Sequence, residues 1–213
     1  MLLRINDLLP SYFEDHRKED SEVWGKELSF SKGELVKIVA PSGSGKTSLV
    51  HFLYGMRKQY NGRIIYKEKY LKQYKIEEIA ALRASSFSIV FQDLRLFLGQ
   101  TVSENLELKR QLDPYHPAGK IADMAQRLGI GNKLSSLCGN CSYGEQQRIA
   151  IIRALLQPFD LLLLDEPFSH LDNANAEKAM GLILEEAKAR NAAILFVDLE
   201  RSDIYPYTRI LHL

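Results

Sequence analysis

Long apolar runs are missing from this chain. Its purest apolar stretches, at 161–164 and 192–197, are short, whereas a membrane-spanning helix needs about 20 such residues. The opening segment, MLLRINDLLP, meets Arg4 and Asp7 almost at once, which leaves no room for the apolar core of a secretory leader. The chain is therefore expected to be soluble and cytoplasmic, and to reach a membrane only through a partner. Cysteine is scarce: Cys138 and Cys141, spaced C-x-x-C, are the only two. A single such pair cannot supply four zinc ligands. Two reduced thiols beside a turn is the plain reading, with a redox pair as the alternative. An excess of one charge is also absent. A net charge of +1 gives no bulk attraction to nucleic acid or anionic lipid, so no nucleic-acid partner is expected. Repeats, low-complexity tracts and Pro/Gly-rich linkers are missing too.

What is present suits a folded globular protein. The 213 residues, 46% of them hydrophobic, suffice for one sizeable core or two small lobes. Apolar strands at 34–39, 161–164 and 193–197 alternate with helical patterns, which predicts an α/β fold whose mostly parallel sheet is covered on both faces. Between Leu94 and Gln157 the pattern is helical, broken at Asp113-Pro114 and His116-Pro117. One α/β domain with a helical insertion is expected.

The segment APSGSGKT, residues 40–47, follows a short strand and opens a helix. It fits G-x-x-x-x-G-K-[ST], except that Ala40 replaces the first glycine. A loop whose backbone N–H groups wrap phosphates must carry small side chains, and Ser42, Gly43, Ser44 and Gly45 supply them, with Ser48 just beyond. Lys46 is expected to reach the β- and γ-phosphates, and the Thr47 hydroxyl to hold Mg²⁺. The methyl of Ala40 is tolerable where a strand is ending. Downstream, LLLLDE (161–166) ends a buried strand in two carboxylates. Asp165 is placed to hold Mg²⁺, directly or through water, and Glu166 to polarise an attacking water.

The segment CSYGEQQR (141–148) resembles the signature motif of ATP-binding cassette proteins, usually L-S-G-G-[QE]-Q-Q-R. Cys141 stands for the leucine and Tyr143 for the first glycine. Ser142 and Gly144, which touch the γ-phosphate in that family, are retained, followed by Glu145. A helix N-terminus offering a hydroxyl and an amide suits an anion. Other family stations follow in order. Gln92 matches the glutamine that links Mg²⁺ and water to the membrane partner. Residues 169–172, SHLD, match the loop that crosses the dimer interface. Tyr12 lies where the family stacks an aromatic on adenine, with Phe13 as a near rival.

The resemblance covers the whole chain. It implies a P-loop NTPase with a RecA-like core over about 1–92 and 158–213, an antiparallel β-subdomain, and a helical subdomain over about 93–157. It implies ATP and Mg²⁺ as cofactors, a head-to-tail homodimer or paired cassette, and integral membrane subunits as partners, with the chain peripheral on the inner face of the membrane. FQDLRLF (91–97) followed by TVSEN (101–105) resembles the subgroup serving lipoprotein release, macrolide efflux and cell division. Two departures stand out. Asp198 occupies the place of the family's switch histidine, and an ionised aspartate cannot donate to phosphate. The chain also stops just after an expected last strand. Three readings follow: a working motor ATPase, a regulatory cassette with weak or lost hydrolysis, and a soluble cassette of repair or translation. The last is disfavoured, because the paired cassettes, coiled coil or zinc insertion of such relatives are not seen.

Overall fold

A computed structural model describes residues 1–14, 19–199 and 205–213. Two sheets form its frame. Strands β1 (Leu3–Pro10), β2 (Glu27–Phe30), β4 (Tyr60–Tyr66) and β5 (Lys69–Tyr70) make an antiparallel sheet in the order β2-β1-β4-β5. Strands β3 (Leu35–Val39), β6 (Phe87–Val90), β7 (Leu161–Asp165), β8 (Ala193–Asp198) and β9 (Arg209–His212) make a parallel sheet in the order β6-β7-β8-β3-β9.

The four leucines of β7 show why this sequence needs two covered faces. Successive strand residues point to opposite sides. Leu161 and Leu163 enter the core that also holds the antiparallel sheet and helix α1 (Lys46–Leu53). Leu162 and Leu164 enter the core of the helices α3 (Val102–Arg110), α4 (Gly119–Arg127), α5 (Tyr143–Leu155) and α6 (Asn173–Arg190). All four are fully buried, so a polar residue at any of them would sit inside a core. Helix α2 (Ile76–Ser85) leads directly into β6.

The expected breaks at the two prolines hold, since α3 ends at Arg110 and α4 starts at Gly119. The expected helical pattern from Leu94 does not hold. Residues 94–100 form a loop, because Leu94 and Arg95 take left-handed backbone at φ 56° and 50°. Helix α3 begins only after Thr101, whose side chain caps it together with Glu104. Among the described residues no helix is long and apolar enough to cross a membrane.

Candidate functional site: a cavity at the start of helix α1

Helix α1 grows out of the loop that follows β3. Gly43 and Gly45 take φ +78° and +98°, the left-handed region that glycine enters at little cost. No side chain caps α1, so its first amides stay free for a ligand. Trp24 buttresses the loop: its indole N–H donates to Ser44 O at 3.0 Å. A Cβ at Gly45 would meet the Trp24 and Phe13 rings at 3.1 and 3.2 Å. Ser44 is buried, and its hydroxyl donates to Pro41 O at 2.8 Å.

A cavity of about 330 Å³ opens over this loop. Tyr12, Phe13, Ser42, Gly43, Gly45, Lys46, Thr47, Ser48, Gln92 and Glu166 form its walls. The Lys46 ammonium donates to Ala40 O at 3.1 Å and Pro41 O at 3.2 Å, and lies 3.3 Å from Glu166 Oε1. Both side chains are nearly buried, so their charges meet with little solvent between them. Glu166 has φ 48°, a strained backbone for a non-glycine residue, held by its N–H donating to Val197 O at 2.9 Å. Such strain costs of order 1–3 kcal/mol and persists where surrounding structure enforces it.

Thr47 Oγ1 donates to Gln92 Oε1 at 3.3 Å. Beside them, Asp165 is buried, and its Oδ1 has no hydrogen-bond partner among the described residues. Burial raises the Asp165 carboxyl to about 6, with the charges of Glu166 and Asp198 adding to the rise and Thr47 and Lys46 opposing it. An orphaned carboxylate oxygen, a hydroxyl and an amide oxygen are hard donors, the set a small divalent cation prefers. Tyr12 and Phe13 meet edge to face with centroids 5.3 Å apart, and Tyr12 shares a hydrogen bond with Ser48. Both aromatics line the cavity, so the choice between them stays open.

The structure does not bring every expected residue to this cavity. Ser142, Gly144 and Glu145 start α5 and are absent from its walls. There Ser142 accepts from Glu145 N at 3.3 Å while Glu145 Oε2 accepts from Ser142 N at 2.8 Å, a capping box. The Ser142 amide, first among several causes, holds the Glu145 carboxyl below its ordinary value. A Cβ on Gly144 would come within 2.9 Å of His170 O. Tyr143 packs against the His170 ring, with centroids 4.2 Å apart. Asp172 caps α6. Asp198 ends β8 opposite Val39 and is 1% exposed. Its carboxylate accepts from Leu199 N at 2.7 Å, and it is not among the cavity walls.

Two residues unremarked in the sequence join these parts. Gln147 is buried; its amide donates to Glu166 O and Ser169 Oγ, both at 3.2 Å, and its oxygen accepts from His170 N at 3.0 Å. Arg153, in the last turn of α5, donates to Leu94 O at 2.6 Å and Arg95 O at 2.7 Å. It thereby fixes the loop that follows Gln92. Cys138 and Cys141 are free and buried. Burial pushes the Cys138 thiol up to about 11 and raises Cys141 as well, which suits inert thiols rather than a redox pair.

Comparison with known proteins adds the following. A family model described as ABC transporter matches residues 25–169. The lipoprotein-releasing system ATP-binding protein of Idiomarina loihiensis is 30% identical over 199 residues, covering 92% of this chain and 87% of that protein. The ABC transporter ATP-binding protein YtrE of Bacillus subtilis is 33% identical over 179 residues, covering 83% and 77%. A macrolide export ATP-binding/permease protein of Nitrosomonas europaea is 31% identical over 197 residues, covering 91% of this chain but 30% of that protein. The chain thus spans under a third of the macrolide export relatives it matches. Among solved structures, an ATP-binding cassette dimer in a post-hydrolysis state bound to ADP and phosphate matches with TM-score 0.80 and 22% identity, covering 93% of this chain and 88% of that one. That likeness shows the shared fold.

Proposed function

The chain belongs to the ABC transporter family, and from that premise we propose that it binds and hydrolyses ATP as the motor subunit of a membrane complex in the lipoprotein-release and macrolide-export subgroup. The observation that carries this reading is the convergence of Lys46, Thr47, Gln92 and Glu166 on one cavity at the start of α1, with Asp165 behind them. In this reading the loop amides and the α1 N-terminus take the phosphates. Lys46 leaves Glu166 and the loop carbonyls to meet the β- and γ-phosphates. Glu166, relieved of its lysine, accepts a proton from the attacking water. Thr47, Gln92 and Asp165 would hold Mg²⁺, which when bound neutralises charge on the phosphate oxygens. Tyr12 or Phe13 stacks on the adenine.

Ser142, Gly144 and Glu145 face no nucleotide in their own chain, so this reading requires a second cassette, placed head to tail, whose α5 start covers the phosphates held by Lys46. The core over about 1–92 and 158–213 then binds nucleotide, and the helical part over about 93–157 supplies the covering surface. The complex sits on the inner face of the membrane, held there by separate membrane subunits. A cavity of about 380 Å³, walled in part by Phe91, Phe97, Leu108 and Leu112, is where a cytoplasmic segment of such a subunit docks.

A second reading, a regulatory cassette with weak or lost hydrolysis, draws on Asp198 in the place of the switch histidine. Phosphate release with the membrane subunits present separates the two. Binding itself is tested by Lys46→Ala, which is expected to lose nearly all ATP affinity in calorimetry. An unchanged affinity would remove the phosphate-loop assignment.

A further inference from the structure

The 380 Å³ groove is apolar in its walls and cationic in its floor. Phe97, Leu108 and Leu112 stand at its rim, 59%, 51% and 63% exposed. Buried Asn105 fixes the backbone at Phe97: it accepts from Phe97 N at 2.9 Å and donates to Phe97 O at 3.0 Å. Exposed apolar side chains grouped around one groove mark a surface that something covers.

Beneath them lie Lys109 and Arg153. Lys109 Nζ donates to Arg83 O at 3.2 Å, and Arg153 donates to the Leu94 and Arg95 carbonyls. Among the described residues neither cation pairs with a carboxylate. The carboxylate nearest Lys109 in sequence, Glu107, is held by Arg110 at 2.8 Å, and Asp93, beside the groove, is held by Arg95 at 3.1 Å. Burial lowers Lys109 to about 8, and the charges of Arg153 and Arg83 lower it further rather than compensate it. Two half-buried cations bonded only to carbonyl oxygens are an uncompensated positive site at the bottom of an apolar groove, and such charges are costly without an anion.

We infer that the segment docking in this groove is a short amphipathic stretch of a membrane subunit that carries an aspartate or glutamate between apolar residues, and that this carboxylate pairs with Lys109 and Arg153. The inference rests on the docking reading above and adds its chemistry. The apolar rim takes the flanking side chains, and the carboxylate fixes register, since a wrong neighbour leaves both cations buried and unpaired. Lys109 is the discriminating residue, because Arg153 is already committed to holding the loop after Gln92.

The test uses the complex from detergent-solubilised membranes, with the tag on the membrane subunit and the amount of this chain retained as the readout. Thermal unfolding of each purified variant checks the fold. Lys109→Glu is expected to lower retention roughly tenfold or more, as truncating or reversing a buried charge pair does, and Lys109→Met by less. A carboxylate-to-lysine exchange in the docking segment of the subunit is expected to restore retention for Lys109→Glu and not for Lys109→Met. Equal retention of parent and Lys109→Glu would overturn the inference. So would loss of binding to vesicles of phosphatidylcholine with phosphatidylglycerol while retention by the subunit stays intact, which would assign the cations to a lipid headgroup. A parent chain that retains no membrane subunit overturns the docking reading and the inference together. Nucleotide affinity is measured on the same variants. Loss of retention in Lys109→Glu alongside undiminished affinity in Lys46→Ala would leave this inference standing and remove the phosphate-loop assignment alone.

Discussion

Replacing Glu166 by glutamine separates two roles of its carboxylate. In the structure it pairs with Lys46; on the proposed reading it serves as base once nucleotide is bound. The charges are 3.3 Å apart, which at an effective dielectric of about 20 is an attraction of about 5 kcal/mol. Most of that is offset by the desolvation of two nearly buried groups. If about a quarter survives as net attraction, detaching Lys46 to meet a phosphate costs about 1.3 kcal/mol, a factor of nearly ten in affinity. Glu166→Gln removes that competition. It keeps the side-chain shape and the left-handed backbone at φ 48°, since glutamine is no freer there than glutamate. The variant is therefore expected to bind ATP about tenfold tighter than the parent. It should also hydrolyse it about 10² to 10⁴ times more slowly, or about 3–5 kcal/mol of barrier, so that an ATP-bound dimer accumulates. Calorimetry with ATP and no divalent cation reads the first effect. Phosphate release and gel filtration read the second. Unchanged or weaker binding would show that the ion pair does not compete with phosphate, and hydrolysis at the parent rate would show that Glu166 is not the base.

Two further expectations concern residues beside the site. Asp198→His is expected to raise basal ATPase activity of the isolated chain, with Glu166 still required. Steady-state phosphate release for the parent, the variant and the double variant with Glu166→Gln checks this, alongside thermal unfolding because Asp198 is buried; a parent as fast as ordinary cassettes, unimproved by histidine, would refute it. With its thiol pushed up to about 11, Cys138 should be thiolate in only about one molecule in a thousand at pH 8. Iodoacetamide should therefore leave both cysteines of the native chain largely unlabelled and modify them in denaturant, and rapid native labelling would contradict the burial argument.

Features of the site that depend on short-range spacing could be read from the sequence. GKT after a strand, and two acids after four leucines, place Lys46, Thr47, Asp165 and Glu166 because strand period and helix start are local properties. Ser142 as the cap of α5 was legible for the same reason. Features set by tertiary contact were not. Trp24 supports the phosphate loop from 20 residues away. Arg153 holds carbonyls 58 and 59 residues away, and that hold accompanies a loop at 94–100 where the apolar pattern suggested helix. Asp198 was placed correctly at a strand end. The sequence could not say that its carboxylate would accept from the Leu199 amide.

Arg153 also gives α5 a mechanical character. The helix is about 20 Å long at 1.5 Å per residue, and its two ends do different work. Near one end Arg153 grips the loop after Gln92 beside the groove; at the other, Ser142 and Gly144 present the cap. Ser142 lies eleven residue steps from Arg153 along stiff helix, a lever arm of about 16 Å, so a tilt of about 10° pivoting at the groove swings the Ser142 end through roughly 3 Å. That displacement is comparable to the length of a hydrogen bond. On the proposed reading, a small push at the groove is thus large enough to make or break contact with a phosphate at the far end of the same rod.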